Sequence, residues 1–509
     1  MEKQILHVGN GLEPQELDPH LITGTSEIEI LGALFEGLVG QNPKDLSPVP
    51  GVAEWWEVST DGLNYTFHLR SGLTWSNSDP LTAEDFLFSF RRMLSPALGA
   101  PNAYLLFVLK NAENFHKGHV EFDEVGVSAS DHRTLLLQLK NPTHYLLSML
   151  SHPAWFPLPK TTLSRFGDPY GRATGWTRTK SIVSNGPFYL TAWQVNEYIH
   201  TQKNDQYWDT DNTRLKDIFF YPTESRDAEM RAFTAGQLHI TEAVPPSKVG
   251  YYRQQKHPSL QIDPYFGTYY LQLNTNSTAL SDPRVRKALS LVLNRTQIVE
   301  KITQGQQKAA WHFTPPGTSG YNPRISGEKN SEEAKRLLGE AGYPNGKGFP
   351  ILTYLYNTSE NNKAIAEVLQ QMWLSELGIR IELINQEWKV FTQSRETGEF
   401  DILRNSWIGD YMDPTTFLDV WTSQSGNNFT GWYSETYDIY ISNSRAAIDA
   451  GKRNEYFEKA EKLLINEQPI IPLYFYTSVY MKHPSVQGYY PTLLNYHPWK
   501  HVYLKPATP

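Results

Sequence analysis

The chain has 509 residues, 39% hydrophobic and 20% charged, which gives it the material for real cores and excludes a disordered segment. Its formal net charge of −8 argues against nucleic acid or an anionic membrane surface as the main partner. It contains no cysteine, which excludes disulfides, thiolate zinc sites, iron–sulfur clusters and cysteine nucleophiles. At roughly 150 residues per domain the length predicts about three domains. Aromatic residues make up 13%; they fill cores first, but such a surplus also suits a large, wet binding cleft. No run of about 18 apolar residues occurs. The opening Met1–Val8 lacks the pattern of an export signal, so a cytosolic protein and one whose signal has been removed both stay open.

In chain order, the first residues read as a strand, followed by an amphipathic helix over Ser26–Leu38. Tyr65, Phe67 and Leu69 alternate over a strand Tyr65–Arg70. Thr82-Ala83-Glu84-Asp85 is a helix start, with Phe86, Phe90 and Met93 as its apolar stripe. Ser281-Asp282-Pro283 starts another helix, with Val285, Ala288, Leu289, Val292 and Leu293 at helical spacing. A helix over Ser331–Ala341 stops at Gly342. Ile365, Leu369, Met372, Trp373 and Leu377 form a further helical face closed by Gly378. Ile379, Ile381 and Leu383 alternate as a strand, Phe400–Trp407 is a second, Lys452–Glu467 a late helix, and Ile470–Tyr476 a strand behind Pro469. This order predicts an α/β protein, mixed sheets covered by helices. No Gly/Ser linker marks a boundary, which suits domains joined by short ordered crossings, as in a hinged clamp.

Three stretches carry a resemblance. The first is Gly51-Val52-Ala53-Glu54-Trp55-Trp56, Asp61 through Ser76, and Pro80-Leu81-Thr82-Ala83-Glu84-Asp85-Phe86; the second is Leu355-Tyr356-Asn357-Thr358-Ser359 with Asn385-Gln386-Glu387-Trp388-Lys389; the third is Trp407-Ile408-Gly409-Asp410-Tyr411-Met412-Asp413-Pro414-Thr415. Together they resemble the oligopeptide/dipeptide-binding proteins of ABC importers, nearest to the oligopeptide- and murein-tripeptide-binding branch. The likeness runs from Leu17 to the C-terminus. It departs at Ser76-Asn77-Ser78-Asp79, where a Ser-Asp-Gly turn is usual.

The resemblance implies a two-lobe clamp of the periplasmic-binding-protein type II, cluster C kind with an extra domain. Domain I would comprise residues 1–44, 160–266 and 478–509, domain II 45–159 and domain III 267–477. It implies a monomer, periplasmic or tethered outside the membrane by lipid, without cofactor, metal or nucleic acid, which holds a short peptide and delivers it to membrane permease subunits. A free peptide carries an ammonium and a carboxylate, and enclosing both requires a partner charge for each. By the resemblance, Asp410 would meet the ammonium and Arg404 and Arg395 the carboxylate, a task that suits the planar arginine fork. The peptide's backbone would pair with the strand around Ser406 and Ile408 as an added strand. Trp388, Trp407, Tyr265, Tyr270, Tyr476 and Tyr104 would wall hydrated side-chain pockets, and Thr25, on a loop of the first domain, would add a backbone contact.

Two family positions that meet carboxylates of longer peptides with His and Lys are held here by Asn362 and Thr303, which favours dipeptides to tripeptides or a murein-like peptide. Gly267 and Ile408 stand where some relatives have cysteines. An enzyme is the main alternative: the sequence shows no Gly-x-Ser-x-Gly, His-Glu-x-x-His, phosphate loop or Gly-x-Gly-x-x-Gly after a strand, although a carboxylate pair could hide among 54 acidic residues. The same fold could also bind a metal chelate, an opine or an oligosaccharide.

Overall fold

The computed structural model describes residues 4–22, 24–172, 175–447 and 449–505. The chain divides into two compact units, Met1–Asp263 with Val479–Pro509, and Pro264–Ser478. Among the described residues no helix is long and apolar enough to cross a membrane.

The first unit contains, in order, β1 (Ile5–Gly9), α1 (Thr25–Leu34), β2 (Ala53–Val58), β3 (Asn64–Leu69), α2 (Ala83–Leu94), β4 (Val127–Asp131), β5 (Thr134–Gln138), β6 (Phe188–Gln194), β7 (Tyr198–Lys203) and β8 (Asp217–Tyr221). Among the described residues they form two four-stranded sheets, ordered β1-β8-β7-β6 and β2-β3-β5-β4. Only the β1–β8 pairing in them is parallel. Helix α2 starts where its sequence signal lies: Thr82 and Asp85 form a reciprocal capping box, and Phe86, Phe90 and Met93 are fully buried. Its Arg92 reaches into the core and grips Asp18 with both terminal nitrogens, at 3.0 and 2.7 Å. The C-terminal segment returns to this unit, Trp499 donating to the Glu29 carbonyl at 2.8 Å. Helix α1 is shorter than its apolar pattern predicts. Phe35 turns extended, and the apolar run beyond it, Leu38 included, continues as buried loop and strand.

The second unit is built on a mixed sheet. Its elements are β9 (Leu260–Leu273), α3 (Pro283–Leu291), β10 (Lys308–Ala309), α4 (Ser331–Glu340), β11 (Leu352–Asn357), α5 (Glu360–Leu377), β12 (Ile381–Gln386), α6 (Trp388–Thr397), β13 (Ile402–Ile408), α7 (Ala450–Glu467) and β14 (Ile470–Met481). The sheet order is β10-β14-β9-β13-β11-β12. Both changes of unit fall inside strands, β9 and β14, so the chain crosses as strand and not as loop. Asp282 caps α3 through the Arg284 N–H at 2.8 Å, with Pro283 in the first turn. Helix α5 ends at Gly378, whose φ of +70° and whose 2.7 Å approach of a would-be Cβ to the Asn345 carbonyl admit only glycine without strain. The β11–α5–β12 unit is a parallel crossover, and Ile365, Leu369, Met372, Trp373 and Leu377 of α5 pack with Tyr269, Leu271 and Leu273 of β9 in one core. Strand β13 runs to Ile408 where the alternation predicted an end at Trp407.

Candidate ligand-binding site

Strand β13 is paired unequally on its two sides. Against β9 it is antiparallel along its whole length, from Leu273↔Ile402 to Gly267↔Ile408. Against β11 it is parallel, and only Ile402 and Leu403 have partners. The Gly409 N–H donates to the Phe266 carbonyl at 2.8 Å. Antiparallel strands exchange bonds at alternate positions, so 405, 407 and 409 turn their backbone groups to β9 while 404, 406 and 408 turn theirs away. Beyond Leu403 no strand covers that side among the described residues. The result is a short open edge bounded by two charged side chains, Arg404 and Asp410.

Register also sorts the faces. Arg404, opposite Leu271, shares a face with Tyr269, while Asn405, opposite Tyr270, lies on the other with Trp407. The Arg404 guanidinium lies 4.7 Å from the Tyr269 ring centre. It donates to Asn357 Oδ1 at 3.2 Å and to the Tyr476 hydroxyl at 3.0 Å. Its Nε is buried without a partner, and no carboxylate lies within 4.0 Å among the described residues. Asn357 is itself held: Asn362 Nδ2 donates to its carbonyl and its Oδ1, at 3.1 and 3.0 Å, and the Tyr269 hydroxyl donates to Asn362 Oδ1 at 3.3 Å. Arg404 is thus a fixed cation whose neighbours are all neutral, a surrounding that favours an incoming anion.

Arg395, on α6, lies 4.7 Å from the Phe429 ring centre, and its Nε is also buried and unpartnered. Its nearest carboxylate oxygen, from Glu396, is 3.9 Å away. Burial pulls this guanidinium below its ordinary pKa. Asp410 sits on the loop that follows β13. That loop is pinned by the Trp407 indole N–H donating to the Thr416 carbonyl at 2.6 Å and by the Asp410 N–H donating to Thr416 Oγ1 at 3.0 Å. Asp413 anchors its far end; buried, it takes both forks of Arg453 at 2.7 and 2.8 Å and accepts the Thr415 N–H at 3.1 Å.

The other expected residues divide. Tyr476 joins Arg404 directly, and Tyr265 stands edge-on to it at 6.4 Å. Trp388 opens α6, 53% exposed and stacked on Phe391. Ile408 faces Gly267, and its Cδ1 lies 2.3 Å from where a Cβ would stand on that glycine, so the isoleucine fills the space of a second side chain. Tyr270 is a correction: it is wholly buried, edge-on to Phe313 and Trp421, and is core, not wall. Asn362 is likewise buried, its amide and its oxygen both engaged. Thr303 is buried and donates to Gln307 Oε1 at 2.8 Å. Thr25 and Tyr104 belong to the first unit. Thr25 is the first residue of α1 and not part of a loop; Tyr104 is 42% exposed.

Sequence reasoning did not single out Tyr269, Asn357 or Asn405 for the site. Both Tyr269 and Tyr270 are wholly buried and, as neighbours on a strand, face opposite ways; which of them shares the face of Arg404 depends on register.

The comparisons agree with this architecture. The family model for bacterial extracellular solute-binding proteins, family 5 (middle part), matches residues 47–429. The periplasmic oligopeptide-binding protein OppA of Salmonella typhimurium is 36% identical over 497 residues, covering 96% of this chain and 90% of the relative. The structure of the Escherichia coli murein tripeptide binding protein MppA superposes with a TM-score of 0.87 at 35% identity, covering 99% of each chain. That of Haemophilus influenzae OppA in complex with RPPGFSPFR gives 0.86 at 33% identity, again over 99% of each. The α/β architecture expected from the sequence is that of the type II periplasmic-binding-protein fold these relatives share. With a matching model over most of its length and relatives of this similarity along nearly all of it, the chain belongs to the bacterial extracellular solute-binding proteins, family 5.

Proposed function

We propose that this chain is the extracytoplasmic peptide-capturing component of an ABC importer: a monomeric periplasmic protein that binds peptides of about two to five residues, tripeptides favoured, and hands them unchanged to membrane permease subunits. The observation that carries the reading is Arg404, a half-buried arginine with only neutral partners and a buried, spare Nε–H, set at the start of an open strand edge. An extended peptide laid on that edge gains backbone hydrogen bonds whatever its side chains, while its carboxylate meets Arg404, or Arg395 from α6, and its ammonium meets Asp410. The names of the relatives, binders of oligopeptide and murein peptide, support the same ligand class.

Titration calorimetry with tri-alanine and with its N-acetylated and C-amidated forms tests this. The free zwitterion should bind. Amidation, or Arg404→Gln, should weaken binding by about 100-fold, within the range for removing one partner of a buried charge pair; acetylation or Asp410→Asn should do likewise. Equal binding of the doubly blocked peptide would overturn the reading. A ligand that needs Arg404 and is indifferent to Asp410 would point to a simple anion. Recovery of cleaved peptide by mass spectrometry would point to an enzyme.

A further inference from the structure

The open edge of β13 is not entirely open. Of the groups that β13 turns away from β9, the Ser406 N–H lies in the middle, and the side chain of the preceding residue occupies it: Asn405 Oδ1 accepts that N–H at 2.8 Å. Asn405 itself is only 9% exposed, so the bond forms in a largely dry place. Its neighbours Arg404 and Ile408 show no comparable side-chain bond to their own backbone among the described residues.

Resting on the peptide reading above, we infer that Asn405 is an internal stand-in for the guest strand: its carboxamide satisfies the Ser406 N–H while the edge is bare and must turn away when a peptide carbonyl arrives there. A backbone N–H makes one good hydrogen bond, so the peptide and Asn405 compete for it. A buried donor left unmade is costly, which gives the empty protein a reason to keep such a cap. The same cap prevents the bare edge from pairing with strands of other chains, the standing hazard of an unpaired strand. Its consequence is a threshold. A ligand that offers no carbonyl at that position gains nothing from displacing Asn405, whereas an extended peptide replaces one hydrogen bond by another and collects the neighbouring ones as well. Asn405 is thus a positioning residue whose bond a strand-forming ligand must displace and a compact anion of equal charge leaves in place, so it lowers affinity for the former and not for the latter.

Two variants remove the acceptor, Asn405→Leu, which keeps the bulk, and Asn405→Ala. In both, tri-alanine should bind about fivefold more tightly, the order of the net worth of one protein hydrogen bond, while acetate, which carries the charge without the strand, should bind no better than to the wild type. Amide hydrogen exchange gives a second readout: without peptide the Ser406 amide should exchange faster in the variants than in the wild type, and saturating tri-alanine should slow it in all three. Unchanged exchange at Ser406 in the peptide-free variants, or an affinity for tri-alanine that stays equal or falls, would overturn the role of Asn405 and leave the peptide reading standing. A wild-type protein that binds no tri-alanine would overturn both.

Discussion

Arg92 and Arg404 are interior arginines of different units, and they are neutralised differently. In the first unit Arg92 is wholly buried and forks onto Asp18, its Nε donating to the Pro169 carbonyl at 2.7 Å; the Trp176 indole donates to the same carboxylate at 3.1 Å. In the second unit Arg404 meets a ring, a hydroxyl and a carboxamide, and keeps a donor over. Arg295, in the second unit as well, decides what the difference means. It is more deeply buried than Arg404 and also lacks a carboxylate, yet its donors end on the Pro472 carbonyl, the Ser290 carbonyl and Ser290 Oγ, at 2.8, 3.1 and 2.9 Å, and it lies 3.9 Å from the Trp311 ring centre. Burial of a charge therefore does not mark a binding site. A charge with donors unfilled and no opposite charge beside it does, because its surroundings are completed only by something from outside.

Breaking the two arginines should separate stability from binding. The largest effect on folding is expected for Arg92→Leu, which leaves Asp18 buried and unpaired; the loss should be about 3–5 kcal/mol in urea unfolding. Arg404→Gln should leave unfolding within about 1 kcal/mol of the wild type, since no carboxylate is abandoned, while removing most of the peptide affinity; a large loss of stability there would make Arg404 structural and dissolve the contrast. Next in size is a pH effect on the Arg92 cluster. Burial and the neighbouring Arg92 charge push His20 down to about 3, so the folded protein holds it neutral. Between pH 6.5 and about 3 the unfolded chain binds a proton that the folded one refuses, so this stability is present above pH 6.5 and is lost as pH falls. The wild type should accordingly lose stability relative to His20→Asn at up to about 1.4 kcal/mol per pH unit within that window, read from urea midpoints at pH 7 and 4.5. The smallest effect sharpens the Arg404 side: Asn357→Ala removes a neutral positioning contact and should weaken tri-alanine binding about fivefold without altering the unfolding midpoint. No change would mean that Tyr269 and Tyr476 alone orient the guanidinium.

Elements with strong local chemistry were legible in the sequence. The Thr82–Asp85 capping box, the Asp282-Pro283 start and the Gly378 stop each fix a helix end by bonds within a few residues, and all three are found. The apolar run behind α1 was misread as helix because periodicity measures burial, and buried loop and strand residues such as Leu38 satisfy it equally. At the site, Arg404 and Arg395 could be chosen from residue type and motif. Tyr270 was chosen in place of Tyr269 because a strand's facing is set by its neighbour's register. Asn357 stood in the sequence only as part of a family motif and Asn362 as a family position for longer peptides; that Asn362 holds Asn357 and Asn357 meets Arg404, 47 positions along the chain, appears only in the folded chain.

By itself, the sequence determined the alternation of strands and helices, the absence of thiol chemistry, the acidic balance and the family motifs, since each of these depends on residue types at short spacing. Only the tertiary structure decided that β11 stops pairing with β13 after Leu403, that Arg404 lacks an anion, and that Asn405 covers the Ser406 N–H. Those three are facts about which groups remain unmatched once distant segments have packed, and an unmatched group is defined by everything around it.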